Sequence, residues 1–349
     1  MNDEHQAKIL IVGDYSFPLY ASALYEAMRG VGGVYADSFD ISKYLLGNNS
    51  FFKLIKRVEN KLSAGPDVLK LNNDLINKCR RERYDLVFLY TVRSVTAKTV
   101  CEIRECGSKV FSYCNDDPFS DFYPRYFWRN YRDVLSCSDK NYVYRVKNIY
   151  DVERVCGVKP SILRSYYLNA MNYPCGKEKM IKDVPEVIFL GHDENDERKE
   201  YIVSLAEKGV KVGVPRKLYK ISLGERENIV YLDNERTLYN NYLCSCKIPL
   251  VFLSKINHDT YTRRCFEIPA AGAFLFCPYT EDLASLFEEG KEIIFYRDKQ
   301  DFLEKIIYYI NHDEERNQIA VAGRRRLLKD GHEILDRAKQ IITDFKELR

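Results

Sequence analysis

Two arginines and a glutamate lie close together in one short segment of the sequence. Arg263 and Arg264 are followed by Glu267, and small residues with Gly272 end the segment before a strand-like apolar stretch. On a helix, residues three and four positions apart share a face, so the three side chains are expected to lie together. Guanidinium groups favour anions, and so does a helix N-terminus, which is expected here near Tyr261. The segment therefore predicts a site for a negatively charged group.

A second candidate site follows an apolar strand in the N-terminal half. The strand ends at Asn115-Asp116-Asp117-Pro118, and an aromatic-rich segment at 119–128 comes next. Ligands bind at the carboxyl ends of strands in open α/β sheets. There, Asp116 can orient or deprotonate a hydroxyl group while the neighbouring rings pack on a sugar. Alternatively, Asp117 and Pro118 begin a helix as its cap and first residue, and both interpretations hold together if Asp117 caps and Asp116 is the functional acid.

Alternating strand and helix patterns position both candidate sites. An apolar run at 8–13 ends in glycine and precedes an amphipathic segment at 17–29, and this order recurs through the N-terminal half. A stretch at 169–185 has little apolar periodicity and is interpreted as a linker, after which a new strand signal begins at 187–191. Buried strands that alternate with helices predict parallel βαβ units in doubly wound sheets. We therefore expect two Rossmann-like units of the α/β class.

Length and composition narrow the possible functions. The chain has 349 residues, which at about 150 residues per domain predicts two domains. Its 54 lysines and arginines nearly balance 51 acids, so composition gives no support for nucleic-acid binding. The eleven cysteines are odd in number and lack C-x-x-C spacing, which predicts free thiols in a reducing cytosol. With no long apolar run and no signal segment, we expect a cytoplasmic protein with at most peripheral membrane contact.

The C-terminal half resembles the CgeB-like glycosyltransferases, which are related to the retaining family 4 glycosyltransferases of GT-B fold. The matching residues are Arg264, Phe266 to Gly272, Phe287, Gly290, Glu292, Tyr296, Arg316, Ala320 and Gly323. The resemblance implies two Rossmann-like domains that face a cleft, with an acceptor-side domain at 1–170 and a nucleotide-sugar donor domain at 185–330. It implies that a C-terminal helix at 331–349 packs back on the N-terminal domain. It also implies that Glu267 binds the ribose of the donor.

The same resemblance implies roles for residues outside this segment. Seven residues separate Asp259 from Glu267, which is the spacing of two glutamates in family 4 relatives, the first of which contacts the donor sugar; a helix N-cap is the alternative. Gly191 and Arg198 lie in the loop where related enzymes place a basic residue near the diphosphate, and a solvated helix start is the alternative for Arg198. Independently of the resemblance, Gly13 at the end of the first strand is interpreted as a strand-end turn, and contact with a donor phosphate or close approach of an acceptor to the backbone are the alternatives. For Glu267, the alternative is a surface carboxylate paired with an arginine.

Together these expectations describe a metal-independent glycosyltransferase. Cleavage of a nucleotide-sugar leaves a nucleoside diphosphate with new negative charge, which arginines and backbone N–H groups can stabilise. The candidate catalytic residues are Asp116, Arg264 and Asp259, and the candidate donor-binding residues are Glu267, Arg263, Arg198, Gly191 and Gly13.

We expect a UDP- or GDP-linked donor, no cofactor, and a glycan, a lipid-linked sugar or a protein as acceptor, while the oligomeric state stays open. A retaining, hexosyltransferase-like activity of class EC 2.4 is implied by the resemblance. A nucleotide-sugar epimerase or hydrolase of the same fold and a catalytically silent scaffold or coat protein are the alternatives.

Overall fold

The computed structural model of the protein describes residues 6–45, 52–233 and 236–348. The chain divides into two compact units. Unit 1 comprises Met1–Arg164 together with Ile334–Arg349, and unit 2 comprises Ser165–Glu333. The predicted domain boundaries at residues 1 and 349 lie outside the described residues.

Unit 1 is built around a parallel sheet. Its strands are β1 (Ala7–Gly13), β2 (Val34–Asp40), β3 (Leu86–Tyr90), β4 (Lys109–Cys114), β5 (Lys140–Val143) and β6 (Ser161–Ile162). They are arranged in the order β2-β1-β3-β4-β5-β6, and all neighbouring pairs are parallel. The helices that connect them are α1 (Ala21–Arg29), α2 (Ser42–Leu45), α3 (Phe52–Leu62), α4 (Pro66–Glu82), α5 (Ala97–Glu105), α6 (Arg129–Leu135) and α7 (Lys147–Cys156).

The central strands of unit 1 are mostly apolar, as expected where helices cover both faces of a parallel sheet. In β1, the four residues 9–12 are completely buried. At the end of β1, a Cβ atom on Gly13 would lie 2.5 Å from the Cβ of Ala21 in α1 and 3.3 Å from the carbonyl oxygen of Tyr90 in β3. Close packing of α1 on the sheet therefore accounts for the glycine.

The last helix, α15 (Ile334–Glu347), belongs to unit 1 and packs against α1. The hydroxyl of Tyr142 in β5 donates to the carboxylate of Asp344, and the amide of Gln340 donates to the Ile162 carbonyl at 2.9 Å. An edge-to-face contact between Phe111 and Phe345 adds apolar area. These contacts attach α15 to β4, β5 and β6.

Unit 2 also has a parallel sheet. Its strands are β7 (Val187–Ile188), β8 (Val212–Pro215), β9 (Ile229–Leu232), β10 (Ile248–Pro249), β11 (Phe276–Pro278) and β12 (Ile294–Tyr296). Four of them follow the order β10-β7-β8-β9, β11 pairs with β12, and a parallel bridge between Leu250 and Phe276 links the two groups. The helices are α8 (Arg198–Glu207), α9 (Arg216–Leu223), α10 (Tyr239–Ser245), α11 (Arg264–Ala270), α12 (Glu281–Ala284), α13 (Lys299–Ile310) and α14 (Asp313–Lys329).

Two predictions about helices differ from the structure, one by an offset of three residues and one by the absence of the helix. The helix expected near Tyr261 begins at Arg264, where the hydroxyl of Thr262 accepts a hydrogen bond from the Arg264 amide at 3.2 Å. No helix follows Pro118; the chain forms turns until α6. Pro124 lies within that segment and would interrupt a helix, because proline lacks the N–H that a helix interior requires.

Among the described residues, no helix combines the length and the apolar composition that crossing a membrane requires.

Candidate functional site

Glu267 is held inside unit 2 by the short helix α11. Residues 265–270 of this helix are all buried. The helix ends at Gly272, whose φ of +75° lies in the left-handed region that favours glycine. The Ala273 amide then bonds back to the Ile268 carbonyl at 3.1 Å, which closes the turn. With seven residues, α11 is too short for the predicted dipole effect to carry weight.

The Glu267 carboxylate contacts two side chains, one through each oxygen. The Tyr239 hydroxyl of α10 donates to Oε2 at 2.8 Å, and Nε of Arg263 lies 2.7 Å from Oε1. Only 7% of Glu267 is exposed, so the pairing predicted by the alternative interpretation is present but the carboxylate does not lie on the surface. Burial, reinforced by the charge of Glu267, raises the pKa of Tyr239 well above its ordinary value. The tyrosine therefore stays a hydrogen-bond donor.

The two contacts leave capacity for a ligand. Each carboxylate oxygen can accept two hydrogen bonds, and one contact is used at each oxygen by Tyr239 and Arg263. The Arg263 guanidinium also lies 5.1 Å from the centre of the Tyr166 ring, which supports its orientation. Glu267 is thus a fixed hydrogen-bond acceptor whose oxygens retain unused lone pairs.

Arg264 lies against the loop that follows β7. Its Nη2 atom is 3.4 Å from the Leu190 carbonyl oxygen, and its guanidinium carbon is 5.4 Å from the centre of the Phe189 ring. A Cβ atom on Gly191 would lie 2.7 Å from Nη2 of Arg264 and 2.3 Å from the Phe189 ring. The structure thus brings Gly191 and Arg264 together. Among the described residues, the half-buried Arg264 guanidinium has no carboxylate partner.

Arg198 fixes the loop between β7 and α8. Its guanidinium binds both carboxylate oxygens of Asp196, at 2.6 and 2.7 Å, and donates to the His192 carbonyl at 2.6 Å. Burial opposes the charged form of Arg198, which is 3% exposed, but the bonds to Asp196 and the charge of Glu194 outweigh it and raise its pKa. The alternative of a solvated helix start is wrong, because the side chain is buried. Contact of Arg198 with a diphosphate stays a prediction.

Asp259 lies in a turn that precedes α11. Its amide donates to the Ser254 carbonyl at 2.9 Å, and the preceding His258 has a φ of +49°. The N-cap position of α11 is Arg263, so the prediction that Asp259 caps this helix is wrong. Contact of the half-buried Asp259 with a donor sugar stays a prediction.

In unit 1, Asp116 follows β4 and is half-buried. The preceding Asn115 is held by Thr91, which donates to its side-chain oxygen at 2.7 Å. Thr91 has a φ of +50°, a strained conformation for a β-branched residue, and such strain clusters at functional sites. Burial lowers the pKa of nearby Arg93, and the charge of Asp116 opposes this effect. An acidic side chain, Asp116, and a basic side chain, Arg93, therefore lie near each other at the carboxyl edge of the sheet.

Asp117, in contrast, has a structural role. It is completely buried, accepts a hydrogen bond from the Asn148 amide at 2.8 Å, and contacts Lys147 at 3.3 Å. It also accepts from the Phe119 amide at 3.0 Å, which shapes a turn rather than a helix. Asp117 thus joins the loop after β4 to the start of α7.

Sequence reasoning missed two side chains of these sites, Tyr239 and Arg93. Tyr239 lies 28 positions before Glu267, its hydrogen-bond partner. Arg93 lies 34 positions before Phe127, and the guanidinium carbon of Arg93 is 3.8 Å from the centre of the Phe127 ring. No local spacing connects residues so far apart.

In the part of the chain that the structure describes, no group of three or more His, Cys, Asp or Glu residues is arranged to hold a metal ion. Contact of Gly13 with a phosphate stays a prediction.

Comparison with known proteins identifies the fold. Residues 224–343, which include Arg263, Arg264 and Glu267, match the model of a family described as glycosyl transferase-like. No curated protein matches the chain.

Several solved structures resemble the chain over nearly its whole length. Anabaena HepE in complex with UDP and glucose has a TM-score of 0.68 at 10% identity, with 98% of this chain and 100% of that chain covered. Sucrose-phosphate synthase from Thermosynechococcus elongatus has a TM-score of 0.67 at 12% identity, with 98% of this chain and 99% of that chain covered. A putative UDP-N-acetylglucosamine 2-epimerase from Listeria monocytogenes has a TM-score of 0.59 at 12% identity, with 98% of this chain and 96% of that chain covered. The chain therefore has the two-domain, Rossmann-like GT-B fold.

Proposed function

We propose that this protein is a glycosyltransferase that transfers a sugar from a UDP-linked donor to a hydroxyl group of an acceptor. The observation that carries the proposal is the buried Glu267 carboxylate, which is fixed by Tyr239 and Arg263 and lies in the same helix turn as the half-buried Arg264. The glycosyl transferase-like match includes these residues, and HepE is a neighbour that binds UDP and glucose. The CgeB-like subgroup stays a prediction.

In the proposed donor complex, Glu267 binds the ribose. An ionised carboxylate accepts hydrogen bonds from hydroxyl groups, and a bond to a charged group contributes about 1.5–3 kcal/mol. Tyr239 and Arg263 hold both oxygens in place before the donor arrives, so little ordering is required on binding. The carboxylate is thus suited to recognise the nucleoside part of the donor.

Arg264 then stabilises the leaving group. When the bond between the anomeric carbon and the phosphate oxygen breaks, the nucleoside diphosphate gains negative charge. A fixed cation near that oxygen lowers the barrier because it interacts more strongly with the transition state than with the donor. We propose that Arg264, held against Phe189 and the Leu190 carbonyl, supplies this charge.

The acceptor half of the reaction is assigned to Asp116 in unit 1. A carboxylate at the carboxyl end of β4 can orient an acceptor hydroxyl and receive its proton. Retention of the anomeric configuration is part of the proposal and is supported by the resemblance to family 4 enzymes; it requires the acceptor oxygen to bond to the anomeric carbon on the face from which the diphosphate departs. Metal independence is likewise proposed, with arginines as the source of positive charge.

Binding and turnover with a panel of nucleotides test the proposal. The midpoint temperature of thermal unfolding should rise when UDP or a UDP-sugar is added, because a ligand that binds the folded state stabilises it by mass action. Release of UDP should then accelerate when a suitable acceptor is added. Absence of any stabilisation by UDP, GDP or their sugars would contradict the donor site and favour a silent scaffold.

The epimerase alternative is favoured by one observation, the similarity to a putative UDP-N-acetylglucosamine 2-epimerase. Incubation with UDP-N-acetylglucosamine, followed by proton NMR of the sugar, distinguishes the two functions. A glycosyltransferase should leave the configuration at C2 unchanged. Acceptor-independent conversion at C2 would replace the proposed activity with epimerisation.

A further inference from the structure

The loop between β4 and α6 in unit 1 exposes aromatic side chains. We refer to residues 119–128 as the aromatic loop. Phe122 is 64% exposed, and Tyr126 is 38% exposed. Large apolar side chains exposed together commonly mark an interaction surface. The aromatic loop is thus a candidate for such a surface.

The base of the aromatic loop is firmly packed, so its tip is presented in a defined conformation. Tyr123 and Phe127 stack with their ring centres 5.0 Å apart and an interplanar angle of 5°. Trp128 is 2% exposed and packs edge-to-face on Phe127. The guanidinium of Arg132 donates to the Pro118 carbonyl at 3.0 Å. Phe122 and Tyr126 therefore remain exposed even though the residues beside them are packed.

Two arginines accompany the exposed rings. Arg125 and Arg129 are exposed, and neither forms an ion pair among the described residues. Asp121 is the single acid in the aromatic loop. Elsewhere in unit 1, Arg104 pairs with Asp139 at 3.1 Å, which shows that surface bases of this unit can be neutralised locally. The aromatic loop and the first residue of α6 therefore present exposed rings together with a net charge of +1, from Arg125, Arg129 and Asp121.

The same surface extends to the start of α7. The amide of Asn148 in α7 donates to Asp117, two residues before the aromatic loop, at 2.8 Å, so the two segments are neighbours. Val146 is 38% exposed and Tyr150 is 72% exposed. These residues lie four positions apart and so share one side of the chain where α7 begins. They enlarge the apolar part of the surface.

We propose that the tip of the aromatic loop docks on an anionic lipid bilayer. Aromatic rings partition into the interface between headgroups and acyl chains, and arginines beside them are attracted to anionic lipids. Asp116 lies three residues before the aromatic loop begins. If the proposed function holds, the docked protein takes a lipid-linked sugar as its acceptor. The docking itself rests on the exposed surface alone.

Vesicle flotation tests the docking. The full chain should float with phosphatidylcholine vesicles that contain phosphatidylglycerol, and much less with phosphatidylcholine alone. Higher salt should weaken the association because it screens the arginines. Phe122→Ser should weaken partitioning about tenfold through loss of buried apolar area. Arg125→Gln and Arg129→Gln should each weaken it about fivefold.

A matched control lies on α9 in unit 2. Ile221 is 98% exposed, and Lys217 on the same helix is also exposed. Lys217→Gln with Ile221→Ser should leave flotation unchanged, because these residues lie outside the proposed surface. UDP-induced thermal stabilisation, measured on the wild-type protein and every variant, should stay the same. Flotation therefore succeeds or fails independently of donor binding.

Two results would overturn the docking. One is the absence of flotation with anionic vesicles at low salt, or equal flotation of the wild-type protein and Phe122→Ser. The other is self-association of the wild-type protein in sedimentation that Phe122→Ser abolishes, in the absence of lipid binding. That second result would make the surface an interface between copies of the chain.

Discussion

Unit 1 and unit 2 each place a carboxylate beside arginines, but the two carboxylates are held in different ways. Glu267 in unit 2 is buried, and each of its oxygens contacts a named partner, Tyr239 or Arg263. Asp116 in unit 1 is half-buried just after β4 and follows Asn115, which accepts a hydrogen bond from the strained Thr91. The first carboxylate is buried and fixed by its partners, and the second is partly open to solvent.

The ligands proposed for the two carboxylates differ in a way that matches this contrast. A nucleotide is a constant ligand, and a carboxylate that is oriented in advance binds it with little loss of conformational entropy. An acceptor is larger and enters from solvent or from a surface, so its binding groups lie on loops that a rigid sheet presents. Substitutions in the two units test whether Glu267 binds the donor and Asp116 acts on the acceptor.

The largest effects are expected from removing each carboxylate. Glu267→Ala should raise the Kd for UDP about 100-fold through loss of hydrogen bonds to the ribose, and lower the unfolding free energy by about 3 kcal/mol because Arg263 keeps a buried charge. Asp116→Asn should leave the Kd unchanged and lower kcat about 100-fold through loss of a general base. Calorimetry, urea unfolding and steady-state kinetics measure the three quantities.

Glu267→Gln controls for a folding defect, because it preserves the shape of the side chain and can keep the bond from Tyr239. It should weaken UDP binding in a protein that still unfolds cooperatively. Equal weakening of UDP binding by Asp116→Asn and Glu267→Gln would contradict the division between the two units.

The next largest effects distinguish two arginines within unit 2. Arg264→Gln should lower kcat/KM by about 2 kcal/mol of transition-state stabilisation, or about 30-fold, with little change in stability. Arg198→Gln should instead lower the unfolding free energy by about 3 kcal/mol, because Asp196 would lose its bidentate partner. If Arg264→Gln proves as destabilising as Arg198→Gln, the assignment of Arg264 to the leaving group is wrong.

In both units, some features could be predicted from the sequence. The apolar runs of β1 and β4 predict buried parallel strands, because a strand covered on both faces has no polar side. The spacing of Arg263 and Glu267 predicts their ion pair, since residues four apart on a helix are neighbours. Both inferences depend on local periodicity.

What the sequence could not predict depends on distant residues. Tyr239 contacts Glu267 only after α10 and α11 pack in unit 2. The burial of Arg198 could not be predicted from an acidic loop, because the same residues are equally compatible with a solvated helix start. The missing helix after Pro118 is a different case, because Pro124, which would interrupt a helix, can be read from the sequence.

A smaller effect is expected from adding one methyl group at Gly13, the last residue of β1, or at Gly191, in the loop that follows β7. Gly191→Ala and Gly13→Ala should each lower the unfolding free energy by about 2 kcal/mol through overpacking. Only Gly191→Ala should also lower kcat/KM, because its Cβ would displace the Arg264 guanidinium. Equal loss of kcat/KM in Gly13→Ala would instead support the predicted phosphate contact of Gly13.

The smallest effect is expected from Tyr239→Phe, which removes one hydroxyl and keeps the ring. Loss of the bond to Glu267 should weaken UDP binding about fivefold, or about 1 kcal/mol, because the carboxylate is less firmly oriented. Tyr242→Phe is the matched control, since Tyr242 lies on the same helix and its hydroxyl donates to the Asp233 carbonyl at 3.3 Å. It should leave the Kd for UDP unchanged. If both substitutions weaken UDP binding equally, the effect comes from the packing of α10 and not from the orientation of Glu267.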